Sequence, residues 1–268
     1  MPVITRTLCI TLFVCMAFVS VSPVEAANAA DDADILRTWV EARAGSGDVV
    51  HWIAEGTLHA FPSGEPLLNM IGFDSSRVIW DEENPNVAQH LTRKTFVFTD
   101  LETGEIVTEF RGQKIDPIAY PYQLITYRYE NGKIYGDVEQ GVGDQVTVIK
   151  AEDGITPTKM GDAWAFNAAV FLDIPLPNGA RMEAWENYDF FIQPAGAVEE
   201  PHQMSWARYD KAAPWTGGTP TIMHMLSWRV ENHDEFPPQL LEWAQQNAAM
   251  WLDAPKDINE IRALQAAN

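Results

Sequence analysis

"QLITYRYENGKIYGDVE", residues 123–139, decides the fold. Apolar and polar side chains alternate on either side of Asn131-Gly132, the period of a half-buried strand. Asn-Gly suits a two-residue type I′ turn, which needs positive φ at both positions. The stretch therefore predicts an antiparallel hairpin, with "QLITYRYE" (123–130) running out and "KIYGDVE" (133–139) returning.

Outward from this hairpin the same pattern repeats. Upstream, "VVHWIAEGTLHAF" (49–61) is long and alternating, and "LLNMIGF" (67–73) follows closely enough to pair with it. "RKTFVFTD" (93–100) and "EIVTEFR" (105–111) flank "LETG", a compact turn in which Gly104 accepts positive φ. Downstream come "QVTVIKAE" (145–152), "AWAFNAAVFLDI" (163–174), "AWENYDFFIQP" (184–194), "MSWARYD" (204–210) and "TIMHMLSWRV" (221–230). These make about eleven strands. Most connections are too short for the crossovers of a parallel sheet, so an antiparallel meander is expected. Two helical patterns bracket the series. "DDADILRTWVEAR" (31–43) places Ile35, Trp39 and Val40 near one stripe, with Asp31 or Asp32 as cap. Pro237-Pro238 starts a closing helix that carries Leu240, Leu241, Ala244, Ala248 and Trp251, and "DAP" (253–255) stops it.

Such a series leaves two edges, and closing the sheet removes them. The expected class is mainly β: a single domain forming an antiparallel barrel or strongly curved sheet of about 10–11 strands, with a short N-terminal helix and a C-terminal helix. An outer-membrane barrel fits poorly. Several strands carry charges on both faces, which lipid would not tolerate, and the C-terminus is polar and helical rather than a strand.

The first residues read as a targeting segment. Arg6 precedes an apolar run from Leu8 to about Val21, followed by Val24-Glu25-Ala26, the small-x-small pattern of a signal-peptidase site. Residues 1–26 are expected to be a cleaved signal, and residues 27–268 an exported, periplasmic or extracellular domain. The apolar run is short for a membrane span, which needs about 20 residues, so no stable insertion is expected after cleavage. Both cysteines, Cys9 and Cys15, fall within it, which leaves the mature domain to rest on its core without disulfides. The net charge is −20, unchanged by loss of Arg6 and Glu25 together. A surface of that sign repels nucleic acid, which is held chiefly through phosphate contacts. Oligomeric state is not legible.

The order of several segments resembles the DUF1838 family. These are "LRTWVEARAGSGDVVHWIAEGTLHAF" (36–61), "GFDSSR" (72–77), "FTDLETGEIV" (98–107), "WENYDFF" (185–191) with its following Trp-rich strand, and "PPQLLEWAQ" (237–245) near "DAP". Together they span about residues 31–262. The resemblance implies a calycin-like barrel able to hold a small apolar molecule. It carries no catalytic residues with it.

Two functional readings follow from the strands. Trp185, Trp206 and Trp228, with Tyr188, Tyr127 and Asn167, are candidates for the wall of a pocket holding a small apolar or aromatic molecule, since indole offers a broad flat face and one donor. The alternative for the same aromatics is plain core packing. His224, Asp189, Glu186 and Arg77 are candidates for acid–base work in a cofactor-independent enzyme, such as a cyclase, dehydratase or isomerase acting on a hydrophobic substrate. Their alternative is ion pairing, with Arg77, Arg208 or Arg229 neutralising Glu186 or Asp189. No metal site is expected. The histidines lack short ligand spacing, and His51 and His59 on one strand would stand about 26 Å apart. No nucleophile elbow or dinucleotide loop is present, so no cofactor is expected.

Overall fold

The computed structural model describes residues 32–142, 145–149, 154–175, 181–211 and 214–267; the expected signal, residues 1–26, lies outside them. Helix α1 (Asp32–Ala44) leads into β1 (Val50–Ala60), β2 (Pro66–Trp80) and β3 (Val87–Thr99). Three two-residue strands follow: β4 (Ile106–Val107), β5 (Glu109–Phe110) and β6 (Gln113–Lys114). Then come β7 (Ile118–Glu130), β8 (Lys133–Val142), β9 (Gln145–Ile149), β10 (Thr156–Met160), β11 (Ala163–Pro175), β12 (Arg181–Ile192), β13 (His202–Asp210) and β14 (Thr221–Val230). Helices α2 (Pro238–Asn247) and α3 (Ile258–Ala267) end the chain.

The Asn131-Gly132 hairpin forms as the sequence predicts. Glu130 faces Lys133 across the turn, and Asn131 and Gly132 take φ of 52° and 79°. The strand predicted over 105–111 breaks instead. Arg111 and Gly112 both take positive φ, so the chain turns there and Phe110 pairs with Gln113 in a small separate hairpin. Strand β10 and helix α3 are further elements beyond those expected.

Every pairing in the main sheet is antiparallel, in the order β10-β11-β12-β13-β14-β1-β2-β3-β7-β8-β9. The sheet curls until β8 meets the start of β10. There Ile134 and Ile155 exchange both backbone hydrogen bonds, N–H to O at 3.0 and 2.6 Å. The result is a nearly closed barrel of ten strands, β10 through β8. Tight curvature brings backbones close. At Gly72 on the inner face, a Cβ would stand 2.2 Å from the Phe96 ring and 2.4 Å from the Thr95 carbonyl.

Closure is incomplete along one seam. Among the described residues, β11 from Ala168 onward bonds only to β12, and β9 bonds only to β8. No pairing among the described residues joins those two edges.

Helix α1 plugs one end of the barrel. Ile35, Leu36, Trp39 and Val40 are buried, as expected of an apolar stripe. Trp39 stands edge-on to Phe190 (4.7 Å, 88°) and Tyr127 (5.8 Å, 86°) and leans on Phe166 (5.1 Å). Gly45, with φ of 73°, ends the helix, and its N–H returns to the Glu41 carbonyl at 3.0 Å. Helix α2 lies outside the barrel, where Leu240 and Ala244 cover Ile53, Phe73, Val97 and Val230. Helix α3 covers Leu91, Tyr122 and Leu124 through Ile261. No described helix covers the outer faces of β11–β14, where Phe171 and Leu226 are exposed.

Candidate functional site: a chamber inside the barrel

Alternation along each strand sends one set of side chains inward. Above the α1 plug these do not fill the space. A chamber of about 820 Å³ remains, within the range of small-molecule sites. Its apolar walls come from Leu58, Met70, Phe96, Phe98, Trp206 and Met223. The Trp206 indole stacks nearly parallel on Tyr188 (5.6 Å, 8°). The seam residues Ile149, Gly154, Ile155 and Ala168–Asp173 also border the chamber, so the edge left unpaired among the described residues is its flank.

A belt of charged and polar groups crosses these walls at mid-depth. On one side, Asp74 of β2 is buried and fully engaged. Its Oδ1 accepts from Ser76 (2.5 Å) and from Thr92, and its Oδ2 meets Arg43 at 3.1 Å and Lys94 at 3.5 Å. Burial alone would raise this carboxyl, but Lys94 and Arg43 outweigh it and hold Asp74 well below the usual carboxylate range. Arg43 reaches Asp74 from the last turn of α1 and lies over Trp52 and Phe190, 5.3 Å from each ring. Burial pushes the Lys94 ammonium down, Asp74 pulls it back, and Arg43 pushes it down again. The Lys94 side chain nonetheless keeps 19% exposure, and it borders the chamber. Behind Asp74, His90 Nε2 lies 2.8 Å from Ser76 Oγ. Burial, then Arg43, keeps His90 neutral well below its ordinary range.

Across the chamber, Glu186 of β12 is also saturated. Its Oε1 accepts from Arg208, and its Oε2 accepts from the Tyr188 hydroxyl at 2.5 Å. Arg208 also pairs with Asp210 at 2.8 Å. Burial opposes the Arg208 charge, but the two carboxylates more than restore it. Burial, reinforced by Glu186, drives the Tyr188 phenol well above its ordinary value. Burial likewise pushes Tyr127 up to about 12. Gln123 donates to Gln140 Oε1 at 2.5 Å, leaving its own Oε1 buried without a partner; Trp206 Nε1 is another such atom. Both residues line the chamber. Buried polar atoms normally find partners; these two have none in the structure.

The structure separates the residues singled out from sequence. Glu186, Tyr188, Trp206 and Tyr127 line the chamber. Trp185 alternates with Glu186 and is exposed on the outer face at 37%. Asn167 and Asp189 bond to one another on the outer surface at 2.6 Å, and His224 meets Ser205 there at 3.1 Å. Trp228 packs outside, against the cluster under α2. Arg77 faces outward to Asp253 at 3.5 Å. The arginine–carboxylate pairing expected from sequence forms between Arg208 and Glu186, whereas Arg229 pairs with Glu231. The sequence did not single out Arg43, Asp74 or Lys94. The expected strand at 67–73 stopped one residue short of Asp74, although Gly72, Asp74, Ser76 and Val78 continue the alternation into the barrel. Among the described residues no three His, Cys, Asp or Glu side chains gather as a metal-holding group. No described helix is long and apolar enough to cross a membrane.

Comparison with family models and with curated proteins returned no match.

Proposed function

We propose that this is an exported binding protein that holds a small apolar or aromatic molecule inside its barrel, with a kinship to the DUF1838 family. The observation that carries the reading is the chamber of about 820 Å³, walled by aromatic rings. A solid core would leave no such space. The edge between β9 and β11, unpaired among the described residues, is the route in on this reading. The targeting segment read from residues 1–26 supports export. The test is a thermal-shift and tryptophan-fluorescence screen of the mature domain against aromatic and lipid-like compounds. At least one class is expected to raise Tm and perturb Trp206 emission in a saturable way. A library that changes neither would sink the proposal.

A second reading is catalysis in the same chamber without a cofactor. The displaced titrations of Tyr188 and Lys94, both facing the chamber, favour it, because such displacements concentrate at reactive sites. On this reading the acid–base groups are Glu186, Tyr188 and Lys94. Turnover lost in Tyr188→Phe with ligand affinity retained would separate catalysis from carriage.

A further inference from the structure

The charges facing the chamber are unevenly matched. On the β12–β13 wall, Glu186 spends both oxygens on Arg208 and Tyr188, and Arg208 is shared with Asp210. On the β2–β3 wall, two cations share one carboxylate. Asp74 serves Arg43 and Lys94 with the same oxygen, while Ser76 and Thr92 occupy the other. Arg43 Nη1 is buried with no hydrogen-bond partner. An ammonium carries three donors, and among the described residues Lys94 has Asp74 as its one salt-bridge partner. Glu186 is near enough to favour the charged form of Lys94, but its oxygens are already engaged.

An unmatched positive charge in an apolar cavity costs free energy unless an anion joins it. The surface makes the contrast plain, since the whole chain is strongly acidic while this inner wall is cationic. Along β3 from Lys94 the inward side chains are Phe96 and Phe98, which face Gly72 and Met70 of β2. A charged end and an apolar body are thus both provided for along this wall.

We propose that the chamber selects an amphipathic acid, its carboxylate seated at Lys94 and its apolar body laid along Phe96 and Trp206. This rests on the binding reading above and adds the chemical class of the ligand. A carboxylate can accept from the Lys94 ammonium, and such charge-assisted bonds are roughly twice as strong as neutral ones. The neutral amides Gln123 and Gln140 remain available for polar groups elsewhere on the ligand.

The experiment compares matched probes by calorimetry and fluorescence at neutral pH: naphthaleneacetic acid, naphthaleneethanol and naphthaleneethylamine, with decanoic acid, decanol and decylamine as a second series. The acid is expected to bind about tenfold or more tighter than its alcohol, with the amine weakest. Lys94→Met is expected to erase the acid's advantage over its alcohol, and Lys94→Arg to keep the preference for acid. Circular dichroism of both variants checks folding. Acid and alcohol binding equally well to the native domain, or a preference for amine, would overturn the carboxylate proposal and leave the binding chamber standing. No probe of either series binding would overturn both.

Discussion

Asp74→Asn is the most informative substitution in the barrel. The side chain keeps its shape and can still accept from Ser76 and Thr92 through its amide oxygen. What changes is the other end. In the native domain one oxygen meets Arg43 at 3.1 Å and Lys94 at 3.5 Å, and both Arg43 and Asp74 side chains are only 8% exposed. The variant leaves the buried Arg43 and the half-buried Lys94 facing an amide in place of a carboxylate. Removing one partner of a buried ion pair costs about 3–5 kcal/mol, a large part of the roughly 5–15 kcal/mol that holds a domain folded. Urea unfolding at neutral pH, followed by circular dichroism, measures it. Lys94→Met in the Asp74→Asn background removes one of the stranded charges and should restore about 1 kcal/mol or more, so the two sites couple in a double-mutant cycle. The pH dependence has a definite sign. Because the Asp74 carboxyl is held below its unfolded range, its contribution is present above about pH 4 and lost as acid protonates it. Asp74→Asn should lack that acid limb. A loss under about 1 kcal/mol, with no coupling to Lys94, would refute the picture of a buried charge cluster.

Further outcomes follow from the same geometry. Trp39→Ala empties the middle of the plug and should cost about 3–5 kcal/mol in urea titrations; a cost below about 1 kcal/mol would mean that α1 does not seal the barrel. Burial, then His233, lowers His51 to about 4, so the unfolded chain takes up its proton first as pH falls. Stability should be full above about pH 6.5 and fall by about 3 kcal/mol from this group as pH drops toward 4, and His51→Asn should flatten that part of the Tm–pH curve. His224→Ala and Asp189→Asn, on the outer surface, should change stability by less than about 0.5 kcal/mol and leave ligand affinity as it was; a large loss of binding in either would place the site outside the barrel.

How far the sequence could be read depended on whether the signal was local. Asn131-Gly132 fixes its own backbone, so the hairpin was legible, and β14 runs over the predicted span, 221–230. Arg111-Gly112 turned where the pattern had looked continuous, and that cut the predicted strand in two. The site was half legible for a different reason. "AWENYDFFIQP" (184–194) puts an acid and aromatics on both faces of one strand, and alternation alone does not say which face looks inward. The structure turns Glu186, Tyr188 and Phe190 to the chamber and Trp185 outward. Arg43 and Asp74 sit 31 positions apart on a helix and a strand. Only closure of the barrel over α1 brings them together, and no spacing rule announces such a pair.

The central claim is that the barrel holds a ligand chamber, and resonance energy transfer from tryptophan to a bound naphthylamine dye tests it most directly. The dye should saturate at one site per chain. Ala54→Trp and Ala168→Trp, which fill the chamber from opposite walls, should abolish the signal, while Trp185→Ala and Leu226→Ser on the outer face should preserve it. Binding that survives both filled chambers and disappears with the outer-face changes would contradict the account.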